Sequence, residues 1–360
     1  MIYFFILFLL FIFSIRIAYP DSGNVFKIVT IVSAFILILI AGLRGDIEPD
    51  YYNYKNIFTN SIIESSIILD VEVGYYYFNK LINFLGLQFQ WVLFIMAFFS
   101  IGIKVIFFKK NSPNFIFSLL LFYCSVFFLY DFIAIRQALA LSIFFLAIPY
   151  LFERNIFKYF AITLLASTIH ISAIILLPIY FFINLKYSSI ILYFVLFTCL
   201  YLNLFEIKVP LLLDNISNII TISTNSIDKL ELYSLEEEFG SVSFKQFAFG
   251  FIFIFYKKKL NDYKMSNLYI NLFVFGILIA TLFNEIPQFA YRSKAFFLWT
   301  DTIIIVMIIH YVTKKSLVLK IMVYLIVAII YGFTLHKLLE AIASRGNFIF
   351  PYKTFLDPIF

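Results

Sequence analysis

Charge is scarce in this chain: only 13% of its 360 residues are Asp, Glu, Lys or Arg, while 63% are hydrophobic. Soluble domains carry about a quarter charged residues, and a soluble globule needs a polar exterior that this composition cannot supply. Glycine (11) and proline (9) are sparse, whereas Phe (50) and Tyr (25) are plentiful. That balance, without the strict polar–apolar alternation of membrane strands, excludes a β-barrel and leaves helices. There are only two cysteines, Cys124 and Cys199, both inside apolar runs, so they read as small core residues rather than a disulfide or a metal cluster. P-loop, Gly-rich dinucleotide, HExxH and CxxC spacings are all missing. ATP hydrolysis and zinc chemistry are therefore not expected, and neither a cofactor, a metal nor a nucleic-acid partner is implied.

What is present is a succession of runs close to the roughly 20 apolar residues that cross a bilayer. Spans are predicted near 2–19, 26–43, 88–108, 115–132, 135–152, 156–169, 171–185, 188–205, 244–256, 266–284, 295–312 and 316–335. The expected fold is all-α, a polytopic transmembrane helix bundle of about 10–12 spans, forming a single integral membrane domain over 1–360 without internal repeats. The N-terminal run has no basic residue before Arg16, so it is expected to be retained as a first span with its N-terminus outside. The 156–185 region is read as two short spans meeting at His170, because one long span would invert the charge bias downstream.

That bias orients the chain. With twelve spans, the inner connections and helix ends hold 15 of the 27 basic residues, Lys104 among them, but only Asp21, Glu153 and Asp262 of the 21 acidic ones. Basic residues on the inner side are the normal orientation signal. Segments 44–87, 206–243 and 336–360 then lie outside. Within the first, Glu72, Tyr76, Asn79 and Asn83 share one face of a helix over 71–85, too short to span, which either lies at the interface or dips inward. The second, rich in Asn, Ser and acidic residues, reads as a surface loop.

Charged side chains at helix ends within a membrane need an explanation, because an ionised group at mid-bilayer costs about 3 kcal/mol. Here they gather at one side: Arg44 and Asp46 after the second span, Asp131 and Arg136 around the turn between the fourth and fifth, His170 after the sixth, and Arg292 and Asp301 at the eleventh. Ala134, Ala138 and Ser142 form a small-residue face that turns Arg136 into the bundle. Arg136 either pairs with Asp131 or a carbonyl to fix the turn, or holds its planar fork toward phosphate oxygens. His170 is either a packing residue or a proton carrier near neutral pH. Arg44-Gly45-Asp46 is either a loop salt bridge or a sharp turn that brings both charges to a helix end.

These motifs resemble the EpsG family of bacterial exopolysaccharide and O-antigen polymerases, the Wzy-like proteins. The matching pieces are AGLRGDIEPDYYNY at 41–54, ExGY at Glu72–Tyr75, IRQALALS at 135–142, ASTIHISAIILLP at 166–178 and YRSKAFF at 291–297. The resemblance implies a GT-C-like membrane architecture in the bacterial cytoplasmic membrane. It implies a metal-independent glycosyl transfer on the outer face, from an undecaprenyl-diphosphate-linked oligosaccharide to the non-reducing end of another. Membrane lipids and a chain-length regulator are the implied partners. In those terms Arg136, Arg44 and Arg292, with Gln137, meet the leaving diphosphate, and His170 acts as base with Asp46 or Glu72 behind it. Tyr51, Tyr75 and the neighbouring Tyr52, Tyr54 and Tyr76 stack on sugars, and either Asp46 or Asp50 is the family's aspartate. Two other readings share these residues: a flippase, which requires charges and broken helices at mid-bilayer, and a ligase or acyltransferase with a different acceptor.

Overall fold

The computed structural model describes residues 2–18, 23–61, 71–208, 242–344 and 349–357. In chain order its helices are α1 (Ile2–Ala18), α2 (Gly23–Gly42), α3 (Tyr51–Asn60), α4 (Val73–Phe84), α5 (Phe89–Asn111) and α6 (Phe115–Phe122), which continues as a π-helix over Tyr123–Ile133. There follow α7 (Ile135–Phe152), α8 (Ile156–Ile169), a 3-10 turn (Ile171–Ile175), α9 (Leu176–Phe182), α10 (Ser189–Leu204), α11 (Phe244–Tyr256), α12 (Ser266–Leu282), α13 (Pro287–Leu298), α14 (Asp301–Val312) and α15 (Leu317–Ala343). Six stretches among the described residues are long and apolar enough to cross a bilayer, the longest being Leu317–Ala343, and five shorter apolar helices accompany them. The chain is thus a multi-pass helical membrane protein, as its composition requires. The predicted eleventh span begins earlier than expected, at Phe289, and α15 runs on to Ala343. The predicted 206–243 loop lies almost wholly outside the described residues.

Two compact units form. The first comprises Met1–Ser65, Val73–Leu146 and Ile305–Phe360. Here α1 packs on α6 and α15, with Phe117 stacked on Tyr324 at 4.0 Å between centroids. Asn114 caps α6 by accepting from Phe117 N–H at 3.1 Å, and its amide donates to Ser14 O at 2.9 Å. The start of α1, the turn after α2 and the C-terminal strip meet at one end. Tyr3 OH donates to Ile349 O (3.0 Å), Tyr352 OH to Ile40 O (3.0 Å), and Arg44 and Thr354 form an antiparallel bridge. Gly45 permits that bridge, since a Cβ there would stand 2.9 Å from Thr354 O. The outer face of α15 is apolar, and only 17% of its span is buried within the protein. Such a surface would drive aggregation in water; hydrocarbon makes it harmless.

The interior of this unit corrects one expectation. Lys104, assigned to an inner helix end, and Asp131, assigned to an outer mouth, are bonded to each other. Lys104 Nζ donates to Asp131 Oδ1 at 2.6 Å and to Ser100 Oγ at 2.8 Å, and Ser100 stands at the midpoint of the 23-residue α5. Ser142 on α7 closes the network at 3.0 Å from Ser100 Oγ. Charges therefore do not sit at one face alone. The reason is position along α5: Lys104 stands about one turn past the midpoint of Phe89–Asn111 rather than at its end, so its ammonium is enclosed by the bundle and takes the buried Asp131 carboxylate as its partner. Lys104→Met alone is expected to cost about 3–5 kcal/mol, because it strands a buried carboxylate, whereas K104M combined with D131L recovers most of that loss. Thermal unfolding of the purified protein in detergent measures both; equal losses would count against a charge-pair role.

The second unit comprises Ser66–Glu72 and Ala147–Ile304. Its centre is a hairpin in which α8, 14 residues long, folds back at His170 onto the 3-10 turn and the 7-residue α9. Two segments meeting at His170 were predicted, but as spans. At 1.5 Å per residue α8 reaches about 21 Å, short of the roughly 30 Å hydrocarbon layer. The hairpin base is zipped: Arg154 donates to Asn184 O (2.8 Å), Asn184 Nδ2 to Phe152 O (2.9 Å), and Tyr180 OH to Arg154 O (2.5 Å). Tyr159 OH ties the two arms through Leu176 O at 2.6 Å. Helices α12 and α13 pack closely where Gly276 leaves room; a Cβ there would meet Phe297 Cβ at 2.7 Å.

Candidate functional site

The loop after α2 is organised from inside. Arg44 has no solvent-exposed surface, and its guanidinium bonds Glu48 Oε1 at 3.2 Å and Ala41 O at 2.5 Å and lies over the Phe132 ring at 5.3 Å. Glu48 Oε2 accepts from Asp50 N–H at 2.7 Å, which sets the start of α3. Burial pushes the Glu48 carboxyl upward, opposed by Arg44, and Asp50 adds to the rise. Arg44 thus anchors the turn, and its partner is Glu48 rather than Asp46. Asp46 Oδ2 instead accepts from Tyr52 OH at 2.8 Å in an exposed position. Tyr51 is half-buried, its ring against Phe89 at 5.3 Å.

Arg136 occupies the first turn of α7, immediately after the helix break at Ala134 (φ −83°, ψ 65°). Its guanidinium lies 5.8 Å from the Tyr54 ring and 5.5 Å from the Tyr75 ring, which themselves meet edge-on at 6.0 Å. Burial holds the Tyr54 phenol far above its ordinary range, so it stays a neutral ring beside the cation. Ala138 and Ser142 are buried and face α5, as the small-residue spacing predicted. Gln137 is buried beside them. A guanidinium at a helix start adds to the partial positive charge of the helix's first amides, an arrangement suited to an anion. The polar stripe of α4 packs against the protein: Tyr76 and Asn79 are buried and Asn83 donates to Ser61 Oγ at 2.7 Å, while Tyr77, Leu81 and Phe84 are exposed. An inside-out helix of this kind fits lipid, not water.

In the second unit His170 sits at the tip of the hairpin with an extended backbone (φ −152°, ψ 118°). Its Nδ1 lies 2.8 Å from Glu72 Oε1, and the same oxygen accepts from Ile171 N–H at 3.3 Å. Of the two carboxylates expected behind the imidazole, Glu72 is the one bonded to it. Glu72 immediately precedes α4, and His170 is 6% exposed. With Nδ1–H donated to Glu72, the basic lone pair resides on Nε2, and the carboxylate fixes that tautomer. Helix α13, which carries Arg292, packs on the 3-10 turn directly after His170. The same helix bears Lys294, buried near Tyr291, and Asp301 opens α14 after a break at Trp299–Thr300. Glu48 and Lys294 escaped the sequence reading. Glu48 lies four residues from Arg44 but in a non-helical turn, where that spacing carries no signal, and Lys294 stands within the quoted YRSKAFF.

The chain is a polytopic helical membrane protein that carries a histidine–carboxylate pair at the turn of a helical hairpin and an arginine beside two tyrosine rings at a helix start. The chain belongs to the EpsG family, whose model matches residues 27–354. It is thereby, in general terms, a Wzy-like polymerase of polysaccharide biosynthesis. No curated protein and no solved structure matches it.

Proposed function

We propose that the protein polymerises lipid-linked oligosaccharide repeat units on the outer face of the bacterial cytoplasmic membrane, without metal or nucleotide sugar. The observation that carries this reading is the 2.8 Å His170–Glu72 pair at the tip of a hairpin too short to span. In the reaction, an acceptor hydroxyl at the non-reducing end of one repeat unit bonds to the anomeric carbon of the growing glycan. His170 Nε2 takes the hydroxyl proton, and Glu72 is the positioning residue that orients the ring and steadies the imidazolium. The bond from the anomeric carbon to undecaprenyl diphosphate breaks, and its electron pair leaves with the diphosphate. Negative charge on that leaving group grows through the transition state, so fixed cations favour the transition state over the ground state. Arg136 and Arg292 are assigned that role, with Gln137 beside Arg136, while Arg44 positions the loop that carries Asp46, Asp50 and Tyr51. Tyr54 and Tyr75 hold the Arg136 guanidinium between their rings.

Incubation of purified protein with an undecaprenyl-diphosphate-linked repeat unit, with no nucleotide sugar and with a chelator present, is expected to yield a ladder of longer lipid-linked glycans. Absence of any ladder from a well-folded preparation would refute the assignment. Transport of the same lipid gains one point of support, the mid-helix Lys104–Asp131 pair. That pair is almost wholly buried, with side-chain exposures of 1% and 0%, and so lines no passage. A transport defect would leave repeat units on the inner leaflet, whereas a polymerisation defect leaves single units on the outer one.

A further inference from the structure

At the base of the hairpin, the second unit encloses a cavity of about 490 Å³. It lies between the end of α7, the start of α10, the turn after α11 and the start of α12. Among the described residues, three lysines line it, Lys186, Lys257 and Lys258, and no carboxylate does; Glu153 and Asp262, nearest in sequence, are outside the lining. Lys257 is 8% exposed and donates to Tyr187 O, which fixes its ammonium at the wall with further N–H groups to give. Ser188 caps α10, a 16-residue helix whose first amides and partial positive charge adjoin the same space. The rim has a different character: Phe152, Leu185 and Ile190 line the cavity and are exposed, at 36%, 44% and 79%.

From this we infer that the cavity binds the headgroup of an anionic phospholipid, phosphate against the three lysines and acyl chains along the apolar rim. Lysines on one cavity wall, with no carboxylate among the described lining residues, favour an anion, and basic pockets at the ends of transmembrane helices are suited to lipid phosphates. Exposed Phe, Leu and Ile at the entrance favour a lipid over a soluble phosphate, which would gain nothing from them. The cavity is not part of the His170 site. It sits at the opposite end of α8, about 21 Å along that helix, and it rests on no assumption about the reaction. Its occupant would brace the hairpin base that Arg154 and Asn184 zip.

Native mass spectrometry of the purified full chain, titrated in parallel with phosphatidylglycerol, phosphatidylcholine and glycerol 3-phosphate, tests the assignment. Phosphatidylglycerol is expected to be retained at least tenfold more tightly than phosphatidylcholine. Lys186 and Lys258 are exposed, so K186Q/K258Q should fold normally and lose at least tenfold of that affinity. The charge-matched control K314Q/K315Q, on exposed lysines outside the cavity, should keep it. Equal retention of the two lipids by the unaltered protein would overturn the proposal, whether or not a variant folds. So would equal losses in the two double variants, or binding of glycerol 3-phosphate as tight as that of phosphatidylglycerol, which would make the ligand a soluble phosphate.

Discussion

His170→Ala is expected to abolish chain extension, with turnover falling about 10²–10⁴-fold, the range contributed by one positioned general base. Because His170 is buried, the amount of folded protein in the membrane is measured alongside, so that a loss of turnover is counted per folded molecule. Cells carrying the variant should accumulate single, unpolymerised repeat units on the outer leaflet. Glu72 acts through the imidazole rather than on substrate, so Glu72→Gln should cost less, roughly 10–100-fold as for other partners that orient a functional histidine. Because the two side chains act as one device, the double variant should be scarcely worse than His170→Ala alone. Added imidazole should restore part of the turnover of His170→Gly, a rescue that a purely architectural histidine would not show. In vitro ladder formation with a lipid-linked repeat unit provides the measurement. Strictly additive losses in the double variant would separate Glu72 from His170.

Arg136→Ala should lower turnover about 10²–10³-fold, the loss typical of removing one preorganised donor from a developing negative charge. Arg136→Lys should fall between the two, since it keeps the charge but loses the planar fork that spans two oxygens. The rings beside it give a finer test. Tyr54→Phe keeps a π-face 5.8 Å from the guanidinium and should be nearly silent. Tyr54→Leu removes that face, and with it a contact of about 0.5–2 kcal/mol that holds the side chain at the start of α7. Glycan length in membranes, normalised to the amount of protein, provides the readout. Long chains persisting in Arg136→Ala would remove this residue from the mechanism.

Part of the site was legible along the chain because it depends on local spacing. Small residues at Ala138 and Ser142 predict a close helix contact, and those residues are buried against α5. The four-residue gap between Ala138 and Ser142 needs only helical periodicity to read. His170 stood out as the lone imidazole in an apolar run, and the chain does break there. The pairing of charges was not legible. Lys104 and Asp131 are 27 positions apart on adjacent helices, and a π-helical stretch shifts the register between them. Glu72 and His170 are separated by 98 positions, so nothing local favoured Glu72 over Asp46.

The sequence by itself determined that this is a helical membrane protein, where most of its helices fall, and that Arg44, Arg136 and His170 stand at helix breaks and ends. Those properties follow from apolar run length and from the cost of placing charge in hydrocarbon, both of which act residue by residue. Only the tertiary structure decided that the hairpin is too short to cross, that Arg44 takes Glu48 as its partner, and that the polar stripe of α4 is buried against the protein. Those outcomes depend on which helices pack together and on where each backbone leaves regular geometry. Side chains many residues apart meet only when that packing is in place, and a buried charge takes whichever partner the packing brings within reach.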